Sequence, residues 1–193
     1  IANNSARIKD RHPSVSVFNF HYANPPVAVA QNYHLNKVIG DNETGFDGNS
    51  DSTYRQEGWS FILAGGALYN NLDYSFTAEH EKGTFQYPET QPGGGSPTLR
   101  KQLSYLHDFI SSLDFIRMKP DSTLVQGNTL ANKVYALAEP GKQYGLYIFG
   151  EGPFEINLVI PQGTYEIEYI DPVSGRTEKR EPATSDGTLK ITT

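Results

Sequence analysis

Between Val15 and Leu113 the chain alternates β-rich runs with helix-forming segments. After Met118 that alternation gives way to turns at roughly eight- to twelve-residue spacing. Few patterns constrain a fold more tightly. Strand–helix alternation builds βαβ units around a parallel sheet, whereas closely spaced turns between short alternating runs build antiparallel sheets. The expected fold class is α/β plus all-β, with the change near Lys119.

The first strand, Val15-Ser16-Val17-Phe18-Asn19-Phe20, runs into His21-Tyr22-Ala23-Asn24-Pro25-Pro26. Asn24 suits an N-cap and Pro25 the first helical position, which predicts a helix of about ten residues through Leu35. The second strand ends near Asp41. A loop rich in Asp, Asn, Ser and Gly follows, and then Thr53-Tyr54-Arg55-Gln56, which has the capping-box spacing of a helix start. That helix carries Trp59, Phe61, Ile62 and Leu63. Trp59, the only Trp, shares their register and is expected to pack the helix against the sheet rather than to serve as a stacking platform. A third strand-like run spans Ala67 to Phe76. Past Gly93-Gly94-Gly95, Ser96-Pro97 opens the clearest helix, in which Leu99, Leu103, Leu106, Ile110 and Leu113 recur at four- and three-residue intervals as one stripe.

These are about three βα units. A closed (β/α)8 barrel takes roughly 250 residues, so residues 1–118 supply less than half of one. The chain also begins at Ile1 without an initiator Met. The expectation is that 1–118 is the C-terminal portion of a (β/α)8 barrel whose earlier strands lie in an N-terminal remainder of the same protein.

From residue 119 to 193 the turns are Gly127-Asn128, Pro140-Gly141, Gly150-Glu151-Gly152-Pro153, Pro161-Gln162-Gly163, Asp171-Pro172, Ser174-Gly175 and Asp186-Gly187. Between them, Val134–Leu137, Tyr144–Phe149 and Phe154–Ile160 are β-rich, and Thr164–Ile170 alternates with period two, one face buried and one wet. This predicts a small antiparallel β-sandwich.

Composition narrows the function classes. A net charge of -6 with no basic run argues against nucleic acid or an anionic membrane surface as partner. No apolar stretch is long enough for a membrane span. The absence of Cys removes disulfides, zinc thiolates and thiol nucleophiles. Twelve Tyr and ten Phe suit sugar faces as well as ordinary strand cores.

Chemistry concentrates in Lys37-Val38-Ile39-Gly40-Asp41-Asn42-Glu43-Thr44-Gly45-Phe46, an apolar run that breaks into a carboxylate-rich loop. In a parallel α/β barrel functional groups sit where strands end, which makes Glu43 the leading catalytic candidate. Asp41, two residues earlier, is a lower-ranked substitute or a turn-ordering residue. His21 and Tyr22 close the preceding strand and flank the same mouth, where they can hydrogen-bond a sugar hydroxyl or orient the carboxylate; the alternative for His21 is a helix cap. Asn71, Asp73 and Tyr74 end the last strand and are expected to line the pocket, with Asp73 also suited to pairing with a base. The run Asp47-Gly48-Asn49-Ser50-Asp51 fails the EF-hand pattern, and the scattered His residues form no zinc triad, so neither metal nor cofactor is expected.

Glu43-Thr44-Gly45-Phe46, Tyr54-Arg55-Gln56-Glu57-Gly58-Trp59, Ala64-Gly65-Gly66-Ala67 and Asn71-Leu72-Asp73-Tyr74-Ser75-Phe76 together resemble the last strands of bacterial TIM-barrel glycoside hydrolases of the apiosidase-like and cellulase-like kind. Phe115–Asp121, Pro140–Tyr147, Pro161–Tyr165 and Tyr169–Gly175 resemble the β-sandwich appended to such enzymes, of a type labelled collagen-binding. The resemblance implies a catalytic barrel portion over 1–118 and an accessory sandwich over 119–193. It also implies hydrolysis of a poly- or oligosaccharide by two carboxylates, with Glu43 as one and its partner on an earlier strand, and an extracytoplasmic location, periplasmic, cell-surface or secreted. The alternative is a non-catalytic carbohydrate-binding or adhesion module.

Overall fold

The computed structural model of the protein describes residues 2–3, 7–8, 12–24, 26–44, 46–127, 133–150 and 153–192. The chain divides into two compact units, Ile1–Leu106 and His107–Thr193.

In the first unit β1 (Ala2–Asn3), β2 (Val17–His21), β3 (Val38–Glu43) and β4 (Leu68–Tyr69) lie side by side in chain order, every pair parallel. Parallel neighbours require crossovers. These run through α1 (Val27–Asn32), continued by a 3-10 turn at Tyr33–Leu35, and through α2 (Asp51–Leu63). On β2 Phe18 and Phe20 face inward while Val17 is exposed; on β3 Ile39, Gly40 and Asp41 are buried in succession, as in a strand covered on both faces. Phe18, Phe20 and Ile39 meet Ala28, Val29, Leu35 and Phe61 in one core. Trp59 on α2 is 3% exposed, in keeping with a packing role. The helix α3 (Pro97–Ser111) starts at Ser96, whose Oγ accepts from Leu99 N at 2.8 Å, and buries Leu99 and Leu106. Among the described residues no helix is long and apolar enough to cross a membrane.

Three local expectations are corrected. First, α1 begins at Val27, with Pro26 at the N-cap and no side-chain cap, and with its 3-10 continuation it ends at Leu35 as expected. Asn24 instead donates to Glu57 Oε1 at 3.2 Å, so a tertiary acceptor displaces the local role; Pro25 lies outside the described residues. Second, α2 begins at Asp51, ahead of Thr53, because Asp51 brings a carboxylate to the first turn and accepts from Ser96 Oγ at 2.9 and 2.8 Å. Third, the strand expected over 67–76 is only Leu68–Tyr69, since Leu72 adopts φ +52°, which cannot continue a strand.

The second unit carries β5 (Lys119–Pro120), β6 (Val125–Gln126), β7 (Lys133–Glu139), β8 (Gln143–Phe149), β9 (Glu155–Val159), β10 (Gly163–Ile170), β11 (Thr177–Ser185) and β12 (Thr188–Thr192). They form three antiparallel sheets, ordered β5-β7-β8, β12-β9-β6 and β10-β11. Ile156, Leu158, Ile160, Leu189 and Ile191 form a core on which Val134, Leu146 and Ile148 of one sheet and Tyr165, Ile167 and Tyr169 of another also pack. The inner faces of all three sheets therefore share one apolar interior. The Pro140-Gly141, Ser174-Gly175 and Asp186-Gly187 turns fall between consecutive strands as expected. Asn128, Glu151 and Gly152 of two other expected turns lie outside the described residues.

Candidate active site

The C-terminal ends of β2 and β3 bring the first candidates together. Pairing sets Phe20 opposite Asp41 and His21 opposite Glu43, which leaves Asn42 as an extra residue in a bulge. Bulges re-aim side chains at strand ends, and the two acids of β3 finish in different surroundings. Asp41 is 1% exposed, whereas the Glu43 side chain is 27% exposed. Tyr22 donates its hydroxyl to Glu43 Oε1 at 2.6 Å, and His21 Nδ1 stands 3.5 Å from Glu43 Oε2. Donation to the carboxylate, with some burial, pushes the Tyr22 phenol up to about 12.

Three acids grip the strand exit 21–24 in succession. Tyr22 N donates to Glu43 O at 2.8 Å, Ala23 N to Asp41 Oδ2 at 3.1 Å, and Asn24 Nδ2 to Glu57 Oε1 at 3.2 Å. Tyr22 itself has φ +59°, a conformation that a non-glycine residue keeps only where its surroundings over-determine it. These bonds do so. Burial pushes Asp41 up to about 7, against the lowering pull of the Glu43 and Ala23 amides, and its Oδ1 has no hydrogen-bond partner among the described residues. Glu57, 3% exposed on α2, is likewise raised by burial. The Tyr69 hydroxyl lies 3.2 Å from Glu57 Oε2, 2.8 Å from Tyr54 O and 3.2 Å from Thr44 Oγ1.

The residues after β4 form the other side. Asn71 is 4% exposed, its Nδ2 without a partner among the described residues. Asp73 accepts from Arg100 at 2.6 Å, from Ser75 Oγ at 2.6 Å and from Ser75 N at 2.8 Å, and so anchors the loop that carries Tyr74. Tyr74 N donates to Gly94 O at 3.1 Å. The Tyr74 ring lies 6.4 Å from Phe46, Phe46 lies 5.8 Å from Tyr22, and Tyr22 lies 6.0 Å from His21, an aromatic arc that joins the exits of β2, β3 and β4.

Glu57, Tyr69, Thr44 and Phe46 were not singled out as site residues from the sequence. Glu57 had a legible signal, a carboxylate in a helical stretch whose neighbours Tyr54, Gly58, Trp59 and Phe61 are all core-forming types. Thr44 and Tyr69 had none, because their pairing depends on how β3, β4 and α2 meet. Among the described residues, no group of three His, Asp or Glu side chains is arranged to hold a metal ion.

No protein-family model matches the chain, and no curated protein does. Solved structures do. A glycoside hydrolase family 5 structure from Bacteroides vulgatus ATCC 8482 aligns with 91% of this chain and 54% of its own at 12% identity and a TM-score of 0.50. A structure described as a glycoside hydrolase aligns over 81% and 42% at 12% identity and 0.39. A GH30 endoxylanase from Clostridium papyrosolvens C71 aligns over 92% and 46% at 11% identity and 0.37. The chain spans about half the length of the structures it matches. The family 5 likeness is one of fold, and it makes this fold glycoside hydrolase-like and barrel-related.

Proposed function

We propose that the protein is a glycoside hydrolase in which Glu43 is the ionised member of a carboxyl pair. The observation that carries this reading is the 2.6 Å hydrogen bond from Tyr22 to Glu43 at the exit of a parallel strand, where reacting groups collect in such folds. In glycoside hydrolysis one carboxylic acid protonates the departing oxygen while a carboxylate attacks the anomeric carbon or activates water. Tyr22 holds one oxygen of Glu43 by a donor hydrogen bond, which fixes the carboxylate plane. His21 faces the other oxygen. In this reading half-buried Tyr74 meets a sugar hydroxyl, while Asn71, 4% exposed, lies beneath the surface that does so. The partner acid belongs to an earlier strand in the remainder of the protein, with 1–118 as the barrel portion, 119–193 as an accessory β-sandwich and the site of action outside the cytoplasm. The family 5 fold likeness supports the glycoside hydrolase-like fold on which this reading rests.

The test is turnover of aryl glycosides and of a glycan panel by the full-length protein. Glu43→Gln is expected to lower hydrolysis by about a thousandfold, the scale on which a transition-state charge interaction is lost. Asp41→Asn is expected to do much less. Near-wild-type turnover by Glu43→Gln, compared at matched melting temperature, removes the assignment. Glycan binding without any turnover by the wild type favours the non-catalytic module instead.

A further inference from the structure

The rim beside Glu43 exposes aromatic rings, and the described base there, His21, faces the Glu43 carboxylate at 3.5 Å. Phe46 is 50% exposed and Tyr22 44% exposed, and the two rings lie 5.8 Å apart. Phe46 also has φ +79°. A phenyl ring held out toward water on a strained backbone adds nothing to the core, and contiguous exposed aromatics mark a surface that meets a ligand. Ring faces of this kind suit the C–H face of a pyranose, and phenolic hydroxyls beside them can meet its polar edge.

Charge narrows the ligand further. Asp47, next in the chain, is exposed, and the Glu43 side chain is 27% exposed. Among the described residues, Arg100 is committed to Asp73, Ser75 and Gly83 O, and Arg55 donates to Gln102 at 2.9 Å. A uronic or sulfated sugar seated here would meet these acids and would have to compete with Glu43 for His21, the described base at this rim. We propose that Phe46, flanked by Tyr22 and Tyr74, is the floor of a sugar subsite beside Glu43 that takes a neutral pyranose unit of a glycan chain. This rests on the glycoside hydrolase reading for its substrate class.

The test is calorimetric titration of the full-length protein with non-hydrolysable thio-linked trisaccharides of glucose, xylose, mannose and galactose and with a thio-linked galacturonate trisaccharide. At least one neutral trisaccharide should bind, and Phe46→Ala should weaken it by about tenfold, the scale of losing one ring contact. Phe46→Trp should retain binding. Phe46→Leu keeps an apolar side chain of similar bulk, so weakened binding with an unchanged melting temperature separates the ring's role from folding. Binding that is indifferent to all three substitutions, no neutral trisaccharide bound, or a galacturonate trisaccharide bound as tightly as the neutral ones overturns the subsite. Wild-type turnover with Phe46-independent binding ends the subsite and leaves the hydrolase reading intact; Phe46-dependent binding without wild-type turnover does the reverse.

Discussion

Tyr22 and Glu43 are joined twice, through the phenol on the carboxylate at 2.6 Å and through Tyr22 N on Glu43 O at 2.8 Å. The backbone bond fixes where Tyr22 leaves β2, and the side-chain bond uses that position to set the plane of the carboxylate. A geometric error in either is passed to the other.

Tyr22→Phe keeps the ring and deletes the donor. Hydrolysis should fall by about tenfold to a hundredfold, the scale on which a charge-assisted hydrogen bond contributes, while the circular dichroism spectrum stays that of the wild type. Spectrophotometric titration gives an independent check, because the Tyr22 phenol, pushed up to about 12, should return toward 10.0 in Glu43→Gln. A titration identical in both proteins counts against the bond.

Asp41 makes stability pH-dependent in a stated direction. Its folded carboxyl holds a proton up to about 7, whereas the unfolded chain releases it near 3.8. Between those values the folded state binds more protons, so stability falls as pH rises through the window and is flat beyond it. The full effect is at most about 4 kcal/mol. Asp41→Asn keeps the acceptor for Ala23 N and carries no charge, so thermal melts from pH 4 to 8 should show a flatter profile and a relative gain at neutral pH. A profile as steep as the wild type's shows that another group sets the dependence.

Gly95 passes against Asp73 with φ +145°, and a Cβ there would collide with Asp73 Oδ1. Gly95→Ala must therefore strain the backbone and dislodge the anchor between Asp73 and Arg100. A loss of about 3 kcal/mol or more is expected by chemical denaturation. A loss under about 1 kcal/mol would falsify the close approach.

Ile156 lies fully buried at the centre of the second unit's core, 0% exposed. Ile156→Ala should cost about 2–5 kcal/mol, read as a lower denaturant midpoint. Ile156→Val should cost about 0.5–1.5 kcal/mol. Equal effects from the two would mean that the cavity collapses.

Legibility followed the range of the interaction. The stripe of Leu99, Leu103 and Leu106 and the Ser96 cap were readable because a helix repeats and caps itself within a few residues. The Thr164–Ile170 alternation mapped directly onto β10 for the same reason. Asn24 misled as a cap because its amide had a better acceptor in Glu57, thirty-three residues away. The strand after Ala67 was cut short by Leu72, whose positive φ has no signature in side-chain type.

By itself the sequence determined the parallel-then-antiparallel order of the strands, through periodicities of side-chain burial that each segment carries locally. It also marked Glu43, His21 and Tyr22 as strand-end residues. Only the tertiary structure decided that Asn42 bulges, that Asp41 is buried while Glu43 meets Tyr22, and that Glu57 of α2 closes the grip on the β2 exit. Those outcomes depend on distances between segments far apart in the chain, and a local pattern of residue types does not encode a distance.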